Sequence, residues 1–563
     1  MMNNSNAVPM PRLSRKVFLL LIIIVTAGLW FGVAGIRLNS DDYQYLSSLA
    51  PIQHFGDVLR PFISPDANPS FFRPVANATM VFDFLFFGWS GAGFHLTNLF
   101  FHLVATLLVF YFVRDVFNLK EKESLWAALI FGIIASHEYN LVVDTARADV
   151  LAAIFVMLTF LLQKRGYRIA ALISFVLALL SKEIAIAVLP LLPMLCWKKT
   201  DTKGQNLKRS LVFMLPYLVI AIGFYFYHSY FTQSVLQSEP LSAEGAHSVP
   251  AFLRNGAYSI GYFILPLDLS SATIILAKYR ALALTVGTVL LIVLIWLILR
   301  KRDNLGSLFQ PLTFSIFTGI VLCLTFERWR LYLPSVGIVS IIILLFSRFT
   351  TRAARVLLFG IMIPLGAFHV YRVIAAESEW RASTELRDKL KENLSNILAH
   401  IPERPVTIGM LAVPAKLGSA SVMQLGQGAL VIRAEADRIS QRNRETGSID
   451  GASVDSWTAV EIYALDHTEG FRGLELTHIA KDRFLITVPH VSSIILYPAS
   501  SSRNGDDRRD HCLVVGDSVV TPEFVDIVRA VANGNAKSIE VQMRDTTAAL
   551  LFFDSSLEFQ RIH

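Results

Sequence analysis

About twenty consecutive residues without a charge, Val17 to Ile36, stand almost at the head of the chain, and a second such run fills Ala281 to Leu299. At 1.5 Å per residue a run of this length matches the ~30 Å hydrocarbon core of a bilayer. Inside lipid the backbone must satisfy its own polar groups, so each run is constrained to be a helix. The surplus of apolar residues extends well beyond these two: hydrophobic residues make up 53% of the 563 positions and charged ones 17%, which a soluble globular chain does not reach over such a length. The surplus ends near residue 376. From Glu377 onward we count about 20 Lys and Arg against about 26 Asp and Glu, leaving about 31 against about 18 for the first part out of totals of 51 and 44. The net charge of +7 therefore belongs to the apolar part, where basic residues flanking membrane helices account for it and a nucleic-acid partner is not implied.

Hydropathy and the polar clusters between runs predict about eleven transmembrane helices, at 17–36, 94–113, 125–143, 149–163, 169–181, 184–197, 210–231, 281–299, 308–325, 331–347 and 355–375. With the N-terminus in the cytoplasm, all the inner connections are basic: Arg12/Arg15/Lys16, Arg114/Lys120/Lys122, Lys164/Arg165/Arg168, Lys198 to Arg209, Arg300/Lys301/Arg302 and Arg348/Arg352/Arg355. This is the positive-inside pattern. The first run is long for a signal-peptide core and lacks a small-residue cleavage site before Arg37, so it reads as a retained span. The expected architecture is a polytopic helical domain over 1–376, with outer loops at 38–93 and 232–280, followed by a soluble α/β or β-rich domain over 377–563 outside the cytoplasm. Segments such as Val406–Val413, Phe484–Val488 and Ser538–Met543 alternate or run apolar like strands. The three cysteines, Cys196, Cys323 and Cys512, are isolated and offer neither a disulfide framework nor a CxxC metal site.

Charged residues remain that hydropathy does not explain. Asp41-Asp42 follows the first span; adjacent carboxylates need a proton, a donor or a cation to coexist. They read either as a solvated loop, as a general base for an acceptor hydroxyl, or as ligands of a hard cation such as Mg²⁺ or Mn²⁺. His95, Asn98 and His102 are spaced i, i+3, i+7 and share one helix face; interhelical hydrogen bonding by neutral imidazoles is favoured over a metal site, because no carboxylate lies in that span. His137-Glu138, Asp149 beside Arg147, Lys182-Glu183, and Arg328 and Arg330 before Tyr332 sit at successive outer turns. Singly each is an interfacial ion pair. Together they place Arg73, Arg147, Lys182, Arg328 and Arg330 on the side where positive charge is disfavoured, and a shared anionic ligand explains the group because Arg and Lys hold phosphate oxygens by charge-assisted hydrogen bonds.

The order of these features resembles the C-type (GT-C) membrane glycosyltransferases, polytopic enzymes that use polyprenyl-phosphate sugars, among them protein O-mannosyltransferases and aminoarabinose transferases. Asp41-Asp42 matches the family's acidic motif in the first outer loop. Phe72-Arg73-Pro74, Gly93-Phe94-His95-Leu96-Thr97-Asn98-Leu99 with His102, Arg147-Ala148-Asp149-Val150-Leu151, Ser181-Lys182-Glu183, and Glu327-Arg328 with Leu331-Tyr332-Leu333-Pro334-Ser335 are similar to the tetratricopeptide-containing O-mannosyltransferase branch, in the same order. The likeness covers about residues 15–376. It departs where no tetratricopeptide array follows, where His137 to Arg147 is short, and where Trp329-Arg330 interrupts the usual run from Arg to Tyr.

The resemblance implies a transferase of the inner membrane that moves a sugar, with inversion, from a polyprenyl-phosphate donor to a hydroxyl of a protein or glycan acceptor. Such a transfer needs a base on the acceptor and a stabiliser of the departing phosphate on opposite faces of the sugar. Asp41 or Asp42 would be the base, or would hold a metal; Arg328, Lys182, Arg147, Arg73 and Arg330 would hold the phosphate. Glu183, His137, Glu138, Asp149, His95, Asn98, His102 and Tyr332 would line the same pocket. The competing readings are a transporter or flippase of a lipid-linked saccharide, which should show charges at the bilayer midplane and helices broken in two symmetric halves, and a non-catalytic subunit of an envelope glycan assembly.

Overall fold

In a computed structural model of the chain, the described residues are 12–39, 42, 46, 52–64, 71–197, 200–232, 249–266, 282, 284–289, 305–324, 326–347 and 352–399, with the backbone of short strands beyond residue 407. By internal packing the chain divides into two units. One is made of residues 1–35, 48–267 and 281–375, and the other of residues 36–47, 268–280 and 376–563.

The first unit is built from helices: α1 (Arg12–Trp30), α2 (Pro74–Phe87), α3 (Gly91–Asp115), α4 (Glu121–Ile133), α5 (Glu138–Val142), α6 (Arg147–Lys164), α7 (Arg168–Ser181), α8 (Lys203–Phe231), α9 (Val249–Ile264), α10 (Leu305–Leu324) and α11 (Tyr332–Ser347). Their ends follow local chemistry. At the head of α8, Thr202 Oγ1 accepts the Gln205 N–H at 3.3 Å and Gln205 Oε1 accepts the Thr202 N–H at 2.9 Å, a reciprocal cap that satisfies two otherwise orphaned donors. Pro74 opens α2, where a missing N–H costs nothing. Residues Glu183–Leu195 wind as a 3-10 helix carrying Pro190 and Pro193, each of which removes an N–H from any α-helical ladder. The core joins α3, α4, α6, α7, α10 and α11 through residues such as Phe112, Phe131, Met157, Phe175, Phe314 and Val336, all buried. A smaller cluster sets Val75 and Ala76 of α2 against Ala148 and Leu151 of α6. The apolar stretch after Phe72-Arg73 thus packs one face into the bundle and leaves Phe82, Phe86 and Phe87 exposed.

In the second unit, Arg37 pairs with Asp388, and Asp42 is buried with its Oδ2 accepting the Asn39 N–H at 3.0 Å. A further helix, α12 (Arg352–Ala399), begins in the first unit and ends in the second. The expected boundary at 376/377 therefore falls inside a helix. Beyond it β1 (Ile408–Pro414) pairs in parallel with β2 (Val460–Leu465) and β6 (Ala549–Phe553), and β5 (Ala536–Met543) pairs antiparallel with β3 (Arg483–Pro489) and β4 (Val525–Asn533).

The expected fold class is corrected. Every residue whose side chain is described lies in a helix or in a turn between helices, with no strand among them. The expected soluble α/β or β-rich domain is therefore overturned: what the side chains define is helical. Alternation along a sequence shows which backbone can pair; it does not show that the pairs cover one another. The count of eleven spans also falls. Among the described residues seven helices are long and apolar enough to cross a membrane, or eight if the bent pair Glu121–Ile133 and Ala135–Val142 is one span. The segments expected at 169–181 and 184–197 form helices of 14 and 13 residues, roughly 20–26 Å long and short of the hydrocarbon thickness. Hydropathy registers an apolar run without registering where the helix stops. Most of the run at 281–299 lies outside the described residues.

Candidate functional site

The sequence-predicted polar residues of the first unit fall into three groups, the first buried and the other two partly exposed, each made by loops or helix ends that bring distant segments together.

The first centres on Arg147, which opens α6 after the 3-10 turn Asp144–Ala146 and has 0% exposed side chain. Its guanidinium reaches Asp83 Oδ2 of α2 at 2.7 Å, donates to Thr79 Oγ1 at 3.2 Å and to the Phe94 carbonyl at 3.0 Å, and its Nε donates to Asn98 Oδ1. Asn98 Nδ2 in turn donates to Asp144 Oδ1 at 2.7 Å and to the Leu141 carbonyl at 3.2 Å, and His95 Nδ1 stands 3.5 Å from the same Asp144 oxygen. Buried charges persist only when paired and hydrogen-bonded. Arg147, Asp83 and Asp144 meet that condition through one another, and the donors of Arg147 point at α2 and α3.

The second group lies where the chain turns between α7 and the 3-10 helix after it. Lys182 Nζ pairs with Asp149 of α6. Glu183 receives a two-pronged ion pair from Arg73, Nη2 to Oε1 at 2.7 Å and Nε to Oε2 at 3.1 Å, the fork geometry that makes guanidinium–carboxylate pairs strong. The Arg73 guanidinium also lies 4.2 Å from the centroid of the Phe71 ring. Arg73 and Arg330 both act electrostatically on Asp149, and Arg73 and Glu183 on Lys182. Three cations thus share one locality with two carboxylates. Burial pushes the Lys182 ammonium down to about 8, against the opposing pull of Asp149. Burial alone would raise the Glu183 carboxyl; the Arg73 guanidinium overrides it and holds the group well below the usual carboxylate range.

The third group is the turn Arg328–Leu331 facing α5. Arg328 Nη1 meets Glu138 Oε1 at 2.9 Å and its guanidinium lies 4.6 Å from the centroid of the Tyr139 ring. Trp329 stacks on Tyr139 at 4.8 Å, and Asn140 Nδ2 donates to the Trp329 carbonyl at 3.2 Å. Behind it, inside the bundle, His102 Nδ1 is 2.7 Å from the Tyr332 hydroxyl while its Nε2–H donates to the Gly132 carbonyl at 3.0 Å, and His137 Nε2 is 3.0 Å from Ser335 Oγ. A carbonyl only accepts, so His102 carries a proton on Nε2. His102 therefore bonds between helices, as the one-face spacing of His95, Asn98 and His102 suggests.

Among the described residues no group of three or more His, Cys, Asp or Glu could hold a metal ion. Asp42 is described and Asp41 lies outside the described residues. The sequence reading left Asp83, Thr79, Tyr139 and Ser335 out of the site. Asp83 had a signal, an acid within the apolar stretch Pro74–Phe87; the others are neutral residues that only through-space pairing singles out.

No family model matches the chain, and no curated protein matches it. Among solved structures it is distantly similar to ArnT from Cupriavidus metallidurans bound to undecaprenyl phosphate, with 11% identity over 75% of this chain and 85% of that one and a TM-score of 0.39. It is likewise similar to ArnT of the same organism in the apo state, with 13% identity over 80% and 93% and a TM-score of 0.41.

Proposed function

We propose that the chain is a membrane glycosyltransferase that moves a sugar from a polyprenyl-phosphate donor to a hydroxyl of a protein or glycan acceptor at the outer face of the bilayer. The observation that carries this reading is the second group: Arg73, Lys182 and Arg330 converge from three separate connections on two carboxylates, Asp149 and Glu183. Cations gathered beside a bilayer, on turns where positive charge is disfavoured, suit a phosphate attached to a lipid. Arg328 stands next to Arg330 in the chain and adds a fourth cation, with its planar fork held by Glu138.

In the proposed reaction the acceptor oxygen attacks the anomeric carbon, its proton passes to a carboxylate, and the bond from that carbon to the phosphate oxygen breaks with the electron pair leaving on the lipid phosphate. Arg328, Arg330, Lys182 and Arg73 stabilise the charge that develops there. Glu138, Asp149 and Glu183 orient those cations. Arg147, Asn98 and His95 frame the group, because the Arg147 donors are engaged by α2 and α3. The acidic pair Asp41-Asp42 is proposed as the source of the base on the strength of its sequence position, and no step is drawn through a metal.

The test is transfer by the purified chain in lipid nanodiscs supplied with radiolabelled undecaprenyl-phosphate sugars and membrane or peptide acceptors. Labelled acceptor should form, should fall in Arg328→Ala at limiting donor, and should be lost in the Asp41→Asn/Asp42→Asn double variant. Wild-type protein that neither transfers any donor sugar nor binds undecaprenyl phosphate would overturn the reading.

A further inference from the structure

The helix that carries Glu138 is broken. α4 stops at Ile133, Ile134 is extended at φ −73° and ψ 126°, and the chain resumes as Ala135–His137 and α5 with a bend of 53°. A break frees backbone groups that a continuous helix would pair. Between packed apolar helices those groups must find other partners. Each partner here comes from a different helix. The Gly132 carbonyl accepts two side-chain donors, Trp30 Nε1–H of α1 at 2.8 Å and His102 Nε2–H of α3 at 3.0 Å, and the Ala135 N–H donates to His369 Nδ1 of α12 at 3.2 Å. Glycine at 132 lets α1 and α3, the helices that carry the two donors, pack closely here. A Cβ there would collide with Thr26 Oγ1 of α1 and would meet Thr106 Cγ2 of α3 at 3.1 Å. The Tyr332 hydroxyl, at 2.7 Å from His102 Nδ1, fixes the ring that makes one of these bonds.

We infer that Trp30, His102 and His369 are positioning residues: together they staple the break at Gly132–Ala135, and the staple aims α5 so that Glu138 and Tyr139 hold Arg328. The path is continuous in contacts. The break directs α5, whose Glu138 pairs with Arg328, whose Tyr139 stacks on Trp329 and whose Asn140 holds the Trp329 carbonyl. An arginine on a turn can adopt many rotamers, and a carboxylate and a ring fixed on a rigid support leave it one.

The inference rests on the proposed role of Arg328 as a phosphate ligand, and two independent readouts separate them. Trp30→Phe removes only the N–H and keeps an aromatic ring. His102→Met removes the donor and fills the space, while His102→Gln keeps an N–H able to reach the Gly132 carbonyl. In nanodiscs, Trp30→Phe and His102→Met should raise KM for the undecaprenyl-phosphate sugar about tenfold with kcat within twofold, and His102→Gln should restore KM. Neither should add to the KM increase of Arg328→Ala, since all act on one group. The second readout is thiol cross-linking in membranes between Tyr139→Cys and Trp329→Cys, in a chain whose native Cys196, Cys323 and Cys512 are replaced. Trp30→Phe and His102→Met should slow it at least fivefold. If cross-linking slows while neither they nor Arg328→Ala change KM, the staple stands and the phosphate reading fails. If cross-linking keeps its wild-type rate in both, or if it slows while Arg328→Ala alone changes KM, the positioning role is overturned.

Discussion

Two arginines that look alike in the sequence separate once their neighbours are known. Arg147 has no exposed side chain and lies against Asp83, with Asp144 nearby, so Arg147→Ala would strand buried carboxylates. Breaking a buried pair in this way costs about 3–5 kcal/mol, and thermal unfolding in nanodiscs should show it as a large loss of stability whether or not donor is present. Arg328 is partly exposed and paired with one carboxylate. Arg328→Ala takes a charged donor from Glu138, which is itself buried, and should cost about 1–3 kcal/mol of stability, less than Arg147→Ala, yet raise KM for the lipid-phosphate donor; equal losses of stability in the two variants would contradict this division. Lys182 makes the site sensitive to pH. Its pKa of about 8, below the ordinary lysine value because of burial, means the cation is present below that pH and lost as pH rises through it. Donor KM should therefore be flat below about pH 7 and climb above about pH 8. Lys182→Arg, whose guanidinium stays charged, should remove the rise if it folds. The same shift has the opposite sign for stability: the fold disfavours the charged form, so stability falls as pH drops from the unfolded value of 10.5 towards 8 and is level below it.

At the scale of elements, the site depends on where helices end. α2 must stop for the chain to turn back into α3, and it stops at Gly88 with φ +56° and ψ −130°, a conformation that a Cβ strongly disfavours. Gly88→Ala should cost about 1–3 kcal/mol with little change in donor KM; thermal unfolding alongside kinetics measures both, and an unchanged midpoint would show that the turn relaxes freely. The prolines at 190 and 193 act in the same sense, keeping the segment after Lys182-Glu183 out of the α-helical ladder. Lys182 and Glu183 thus sit at a junction of two short helices, rather than on the side of one long one.

For the whole molecule the open quantity is orientation. Six basic inner connections predict a cytoplasmic N-terminus, but helices of 13 and 14 residues and one bent pair mean that parity cannot be read from a count of apolar runs. A phosphatase reporter fused after Glu379 should be active, and one fused at Lys203 silent, with a cytoplasm-active reporter giving the reverse. The opposite result would move every outer turn discussed above to the cytoplasmic side. It would also remove the argument from disfavoured positive charge.

Much of this protein could be read along the chain. Val17–Ile36 has no choice but to be a helix, the basic residues fall between the runs, and the conspicuous charges at Lys182-Glu183, His137-Glu138 and Arg328 to Arg330 mark the turns where the polar groups form. These are local properties, summed over neighbours in sequence, and a hydropathy window captures them. What the window could not show is which charge meets which. That Asp83 answers Arg147 across 64 positions, that Glu183 answers Arg73 across 110, and that Trp30, His102 and His369 converge on one break near Ile134 depends on distances through space. In a medium of low dielectric, pairing energies and the cost of an unpaired group turn on an ångström or two. The packed bundle alone sets those distances, and with them it decides that Arg147 meets Asp83, Arg73 meets Glu183 and Arg328 meets Glu138.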